Sequence, residues 1–202
     1  IQSRNLNYQS TFFNDPIFFE AYIKELNRVS QKEWLDSFFA GINKEAQKKM
    51  SILYKSFPGY KFEGKEVLYK NQILAQDILH PILTAQAYFK DYKNNVLEID
   101  VGNMQFLPIK VLGLRVNGQF VKIKQETILQ PKTPERPVDF ISVSFPLDKK
   151  PTATDFDEIF LEYNMLGLDE TSQVKVFPWT YLDQDFEQND IMRKAPNYFL
   201  FP

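Results

Sequence analysis

Cysteine is absent from the 202-residue chain, so it offers no disulfide framework, no thiolate nucleophile and no cysteine-ligated metal site. Histidine occurs once, at His80, which excludes the two-histidine zinc motifs and leaves a single imidazole for any Ser-His-Asp triad. No Gly-X-Ser-X-Gly elbow is present to hold the nucleophile of such a triad. Standing before Pro81 at a predicted helix end, His80 is expected to cap carbonyls or face solvent rather than to act as a base. Glycine is scarce, with seven residues, which disfavours glycine-rich phosphate loops and collagen-like repeats. A marked excess of either charge is missing too. The formal net charge is -2 with both signs interspersed, so the basic footprint of a nucleic-acid binder is lacking and no nucleic-acid partner is expected. The sequence has no apolar run of membrane-spanning length, no signal-peptide pattern and no Asn-X-Ser/Thr acceptor. A start at Ile1 rather than Met is expected of a mature form or a fragment, with any signal or anchor lying outside it.

What the chain has in quantity is aromatic surface, 19 Phe and 10 Tyr, in a length sufficient to bury a sizeable core. The hydrophobic period changes near Asn94-Asn95. Before it, apolar residues recur at three- and four-residue steps. Asp15-Pro16 supplies a cap and a first-turn proline for a helix carrying Phe18, Phe19, Tyr22, Ile23, Leu26 and Val29. Ser30-Gln31-Lys32-Glu33 reads as a capping box opening a second helix, which carries Trp34, Leu35, Phe38, Phe39 and Ile42 and stops at Pro58-Gly59. A third pattern, Val67 to Leu79, ends at His80-Pro81.

From about Thr84 the pattern alternates. Ala85, Ala87 and Phe89 oppose Gln86, Tyr88 and Lys90, and Leu97, Ile99 and Val101 oppose Glu98 and Asp100. Asn117-Gly118 between apolar strands is a strong hairpin signal, because both positions tolerate positive φ. Further strands are predicted over 140–147, 159–166 and 173–177. The expected architecture is therefore α+β. A three-helix segment, 1–82, precedes an antiparallel β-sandwich of about seven strands, 83–182, immunoglobulin-like or another Greek key, and a tail, 183–202, packs back.

Two groups of residues stand out as candidate sites. Asp183, Asp185, Glu187 and Asp190 place oxygen ligands at near-alternating positions, as a calcium loop does, yet the turn glycine and the bidentate glutamate of an EF-hand are missing, and a solvated acidic loop is the expected reading. Calcium is the one cofactor they could take. Trp179, Tyr181 and Tyr198, crowded with Phe186, Phe199 and Phe201, could present a carbohydrate platform or anchor a protein partner, but packing of the tail onto the sandwich is the expected reading. No catalytic residue is nominated.

The runs FFNDPIFFEAYIKEL, WLDSFF, LYKSFPGY, VLYKNQILAQDILHP, FLPIKVLGLRVNG, LEYNMLGL and VKVFPW, spread over roughly 12–179, resemble the region that follows the kinase-like domain in bacterial spore-coat-protein-H (CotH) kinase-related surface proteins. In that family the kinase-like domain binds ATP and transfers phosphoryl groups, and none of its motifs occurs here. The resemblance implies an accessory portion of an extracytoplasmic protein, periplasmic or at the cell surface, and it carries over no active-site residue. The expected function is thus a non-catalytic interaction or structural module that meets a protein partner or a cell-surface component. A carbohydrate-binding sandwich and a hydrolase whose carboxylate pair forms only in the fold are the alternatives.

Overall fold

A computed structural model describes residues 12–132, 138–152 and 154–179. The chain divides into two compact units, Ile1–Ile82 and Leu83–Pro202. Among the described residues the first is helical and the second is built on strands.

Helix α1 (Pro16–Val29) starts where the sequence predicts, with the Asp15 carboxylate accepting from the Ile17 N–H at 2.9 Å and Pro16 in the first turn. It buries Phe19 and Ile23. Its exposed side carries Ile17, Phe18 and Tyr22 together with the ion pairs Lys24–Glu20 and Arg28–Glu25, both at 2.6 Å and solvent-screened. Helix α2 (Lys32–Ser56) follows almost at once and buries Leu35 alone, and α3 (Gly64–Leu79) buries Gln72 and Leu79.

The capping box does not form. Ser30 lies in the right-handed helical region and closes α1, donating its N–H to the Leu26 carbonyl at 3.0 Å, while Gln31 is the extended residue ahead of α2 and caps it with no side-chain bond. The chain turns within one residue, so Ser30 cannot adopt the extended geometry that an N-cap needs. Its hydroxyl serves another purpose, described below.

The second unit contains β1 (Ala85–Lys93), β2 (Val96–Asn103), β3 (Ile109–Val116), β4 (Gln119–Leu129), β5 (Phe140–Pro146), β6 (Ile159–Met165) and β7 (Thr171–Phe177). They pair in the order β4-β3-β6-β7-β1-β2-β5. The hairpin β1–β2 turns on Asn94 and Asn95 and the hairpin β3–β4 on Asn117 and Gly118, each pair with both φ values positive, as short hairpin turns require. Strands β1, β2 and β5 form one side and β4, β3, β6 and β7 the other. That is the immunoglobulin-like Greek-key arrangement, with the fourth strand added beside β3. The expected sandwich is purely antiparallel; here the first and last strands, β1 and β7, pair in parallel through Ala87–Val176 and Tyr88–Phe177, which joins the two sides into one mixed sheet. End strands β4 and β5 also approach each other, so the sandwich is nearly barrel-shaped.

Inward residues fill the space between the two sides. Leu97, Ile99 and Val101 of β2, Val143 and Phe145 of β5, Ile159 and Leu161 of β6, and Val176 of β7 are all buried. Each contributes about 1.5–3 kcal/mol by leaving water. Strand β3 keeps its share by a bulge between Val111 and Gly113, which moves the phase of alternation by one so that Leu114 joins Ile109 and Val111 in the core. Strand β4 runs on past the apolar stretch into Lys124, Gln125 and Glu126, an exposed, charged end strand of the kind that resists pairing with other chains.

Candidate functional site

Of the aromatic candidates, Trp179 lies among the described residues, just past β7. Its ring leans on Phe177 at 5.2 Å between centroids and its indole N–H is turned in, with no hydrogen-bond partner. Phe177 stacks on Tyr88 at 5.6 Å, and Tyr88 meets Phe140 at the same distance. The alternation places Tyr88 on the outer side of β1, yet it is fully buried, because these rings lie over it. Gly102 makes room: a side chain there would collide with Phe140 and Val138. Tyr181, Tyr198, Asp183, Asp185, Glu187 and Asp190 fall outside the described residues. Among those that are described, no cluster of three or more His, Asp or Glu side chains could hold a metal ion.

Two strand carboxylates that the sequence does not single out, Asp100 and Glu162, are buried. A bulge in β1 between Phe89 and Asp91 makes Lys90 an extra residue and directs its ammonium to Asp100 at 3.2 Å; the same ammonium and Asp100 both bond the Ser142 hydroxyl. Glu162 accepts from Arg115 at 2.6 Å and from Gln173 at 2.8 Å. Strands β7 and β1 lie between these two centres, so the pair does not form the close dyad that glycoside hydrolysis uses, and each carboxylate is committed to its own cation. Their signal was present only as lysine, arginine and serine on strands whose pairing the sequence does not specify.

The helical unit holds a recess of about 800 Å³ lined by the α1–α2 junction and one side of α3. Gln72, buried on α3, donates to the carbonyls of Val29 and Gln31 at 2.7 and 2.8 Å, taking up the carbonyls exposed where the chain turns. Gln76 donates to the Ser30 hydroxyl at 2.5 Å, and that hydroxyl donates to the Asn27 carbonyl at 3.0 Å. Farther along, the Tyr69 hydroxyl and the Lys32 ammonium each reach Asp36 at 2.5 Å. Hydrogen bonds from Lys32 first, then Tyr69, hold the Asp36 carboxyl below the usual carboxylate range, and the bond to Asp36 raises the Tyr69 phenol above its ordinary value. His80 closes α3 by donating its backbone N–H to the Gln76 carbonyl at 2.9 Å, in line with a helix-end role.

These polar groups are engaged with one another, and what they do is fasten α3 across the junction of α1 and α2. Large apolar side chains on α2 and α3 are exposed. Phe38 and Ile42 of α2, with Ile73, Leu74 and Ile78 of α3, are exposed, Ile73 by 63% and Leu74 by 59%. Comparison with protein-family models gives no family that matches the chain, and comparison with curated proteins gives no significant relative.

Proposed function

We propose that the chain is a non-catalytic interaction or structural module of a larger bacterial extracytoplasmic protein, and that its helical unit presents the contact surface. The observation that carries this reading is the apolar side chains left outside on α2 and α3, a 25-residue and a 16-residue helix that bury three residues between them. Helices in proteins draw most of their stability from a packed face, and large apolar side chains left exposed on long helices mark a surface for a partner. The hydrogen bonds of Gln72, Gln76 and Tyr69 support the same reading, since they fix the relative placement of three helices and so pre-organise what they display. The bacterial and extracytoplasmic setting comes from the resemblance to the spore-coat-protein-H kinase-related surface proteins. A sugar platform draws less support from Trp179, whose indole N–H is turned inward and whose ring is engaged by Phe177.

Side-chain oxidation footprinting tests the proposal on the chain alone and within its full-length parent protein. Phe38, Ile73, Leu74 and Ile78 are expected to lose reactivity in the parent. Equal reactivity of all four in both settings would overturn the interface reading.

A further inference from the structure

The connection between α2 and α3 differs from the rest of the helical surface. Phe57, Pro58, Gly59 and Tyr60 form a β-turn in which the Tyr60 N–H donates to the Phe57 carbonyl at 3.1 Å, with Pro58 fixing φ at the second position. The turn holds out aromatic rings: Phe57 is 62% exposed, Tyr60 46% and Phe62 53%. Ile52 and Tyr54, in the last turn and a half of α2, are exposed as well.

Charge concentrates at the same place. Residues 48–65 contain Lys48, Lys49, Lys55, Lys61 and Lys65 against Glu63, five positive charges and one negative, for a local net of +4 in a chain whose total is -2. Lys49 is partly neutralised by Glu45 at 3.2 Å, and Lys65 lies over the rings of Phe39 and Tyr69. Lys48, Lys55 and Lys61 have no ion pair among the described residues.

We infer that this hairpin tip docks on an anionic phospholipid surface, the aromatic rings entering the headgroup boundary while the lysines meet lipid phosphates. The residue types decide between partners. Protein interfaces favour arginine and are depleted in lysine, and no arginine occurs in 48–65. Nucleic-acid grooves interleave cations and stacking rings along an extended track, whereas here the rings sit at the apex with lysines on either side. Apolar and aromatic side chains at the centre with lysines around them is the pattern of segments that lie in a bilayer interface, where the lysine stems extend along apolar surface and keep their ammonium groups in the phosphate layer. The inference stands apart from the proposed interface, which uses Phe38, Ile73, Leu74 and Ile78.

Flotation of the whole chain with vesicles tests it, using phosphatidylcholine alone and phosphatidylcholine mixed with an equal part of phosphatidylglycerol. Binding is expected to the mixed vesicles, weakening as salt is raised. Lys55→Gln combined with Lys61→Gln is expected to lower the partition coefficient about 25-fold, near fivefold for each lysine. Phe57→Ser combined with Phe62→Ser should lower it by about tenfold or more, with far-ultraviolet circular dichroism unchanged because both rings are exposed. A Tyr60→Trp variant gives a gain of signal, an emission blue shift that appears with the mixed vesicles and not with phosphatidylcholine. Failure of the parent chain to float with anionic vesicles would overturn the inference. So would flotation that both double variants retain, or capture of single-stranded DNA through the same lysines without vesicle binding. None of these outcomes bears on the footprint at Ile73 and Ile78, so the two proposals fail separately.

Discussion

Ser30 shows how far one side chain's role depends on what is opposite it. Its position before Gln31-Lys32-Glu33 has the form of a capping box, but its hydroxyl bridges the Asn27 carbonyl and the Gln76 amide 46 residues away. Ser30→Ala is expected to cost about 1 kcal/mol by leaving the part-buried Gln76 amide short of an acceptor. A double-mutant cycle separates this from capping: coupling of about 0.5 kcal/mol or more between Ser30→Ala and Gln76→Ala, and none between Ser30→Ala and Glu33→Ala, in denaturant melts. Coupling to Glu33 instead would restore the capping box. Tyr69 supplies a second test at this scale. Losing its proton would break the bond to Asp36 and set two negative charges side by side, so its folded-state value lies above the ordinary phenol value of about 10. A group raised in this way contributes stability that is complete below the unfolded value and is lost as pH rises through the folded one. In Asp36→Asn the phenolate absorption of Tyr69, isolated by comparison with a Tyr69→Phe variant, should therefore develop at lower pH than in the parent chain.

At the scale of elements, local chemistry was the most legible. The Asp15-Pro16 start, the stop before Pro58-Gly59, the end at Leu79 and the Asn117-Gly118 turn all follow from which backbone geometry each residue tolerates, and each is found where the sequence places it. Gly118, at φ +80°, makes the hairpin prediction specific: Gly118→Val should cost about 1–3 kcal/mol in a chemical denaturation curve, whereas an Asn at the same position should cost less, because Asn enters the left-handed region readily. Equal losses would mean that the turn is not what holds β3 to β4. The sequence did not disclose what depends on partners. Burial of Tyr88 needs Phe140 and Phe177 from strands far along the chain, and the seat at Gly102 reveals itself only once Phe140 lies across it. Asp100 alternates with the apolar residues of its strand in the sequence, and both it and Glu162 are buried because cross-strand neighbours cover them. The bulges at Lys90 and near Gly113 move residues between faces without any local marker that period-two reasoning detects. The candidate site suffered most, because its principal members, Gln72, Gln76 and Tyr69, are ordinary helix residues until they meet the α1–α2 junction.

Across the whole molecule, burial is unevenly shared. Among the described residues most fully buried large side chains belong to the strands, while Ile23 and Leu79 are the helical ones. Backbone amides of α2 are therefore expected to exchange with deuterium before those of β2 and β6, since opening the helix exposes little new apolar surface. Equal protection across all three elements would show that the helices are buttressed by contacts beyond those described. The two-residue parallel seam between β1 and β7 has a consequence of another kind. It joins the first strand of its unit to the last, and because the strands run the same way, the entry end of β1 and the exit end of β7 lie at opposite ends of the seam. A tension applied through the chain on either side of the unit would load those strands in shear, with the bonds sharing the force together instead of parting one by one from an end, so a module set in series within a stretched protein would meet the load with its seam as the latch.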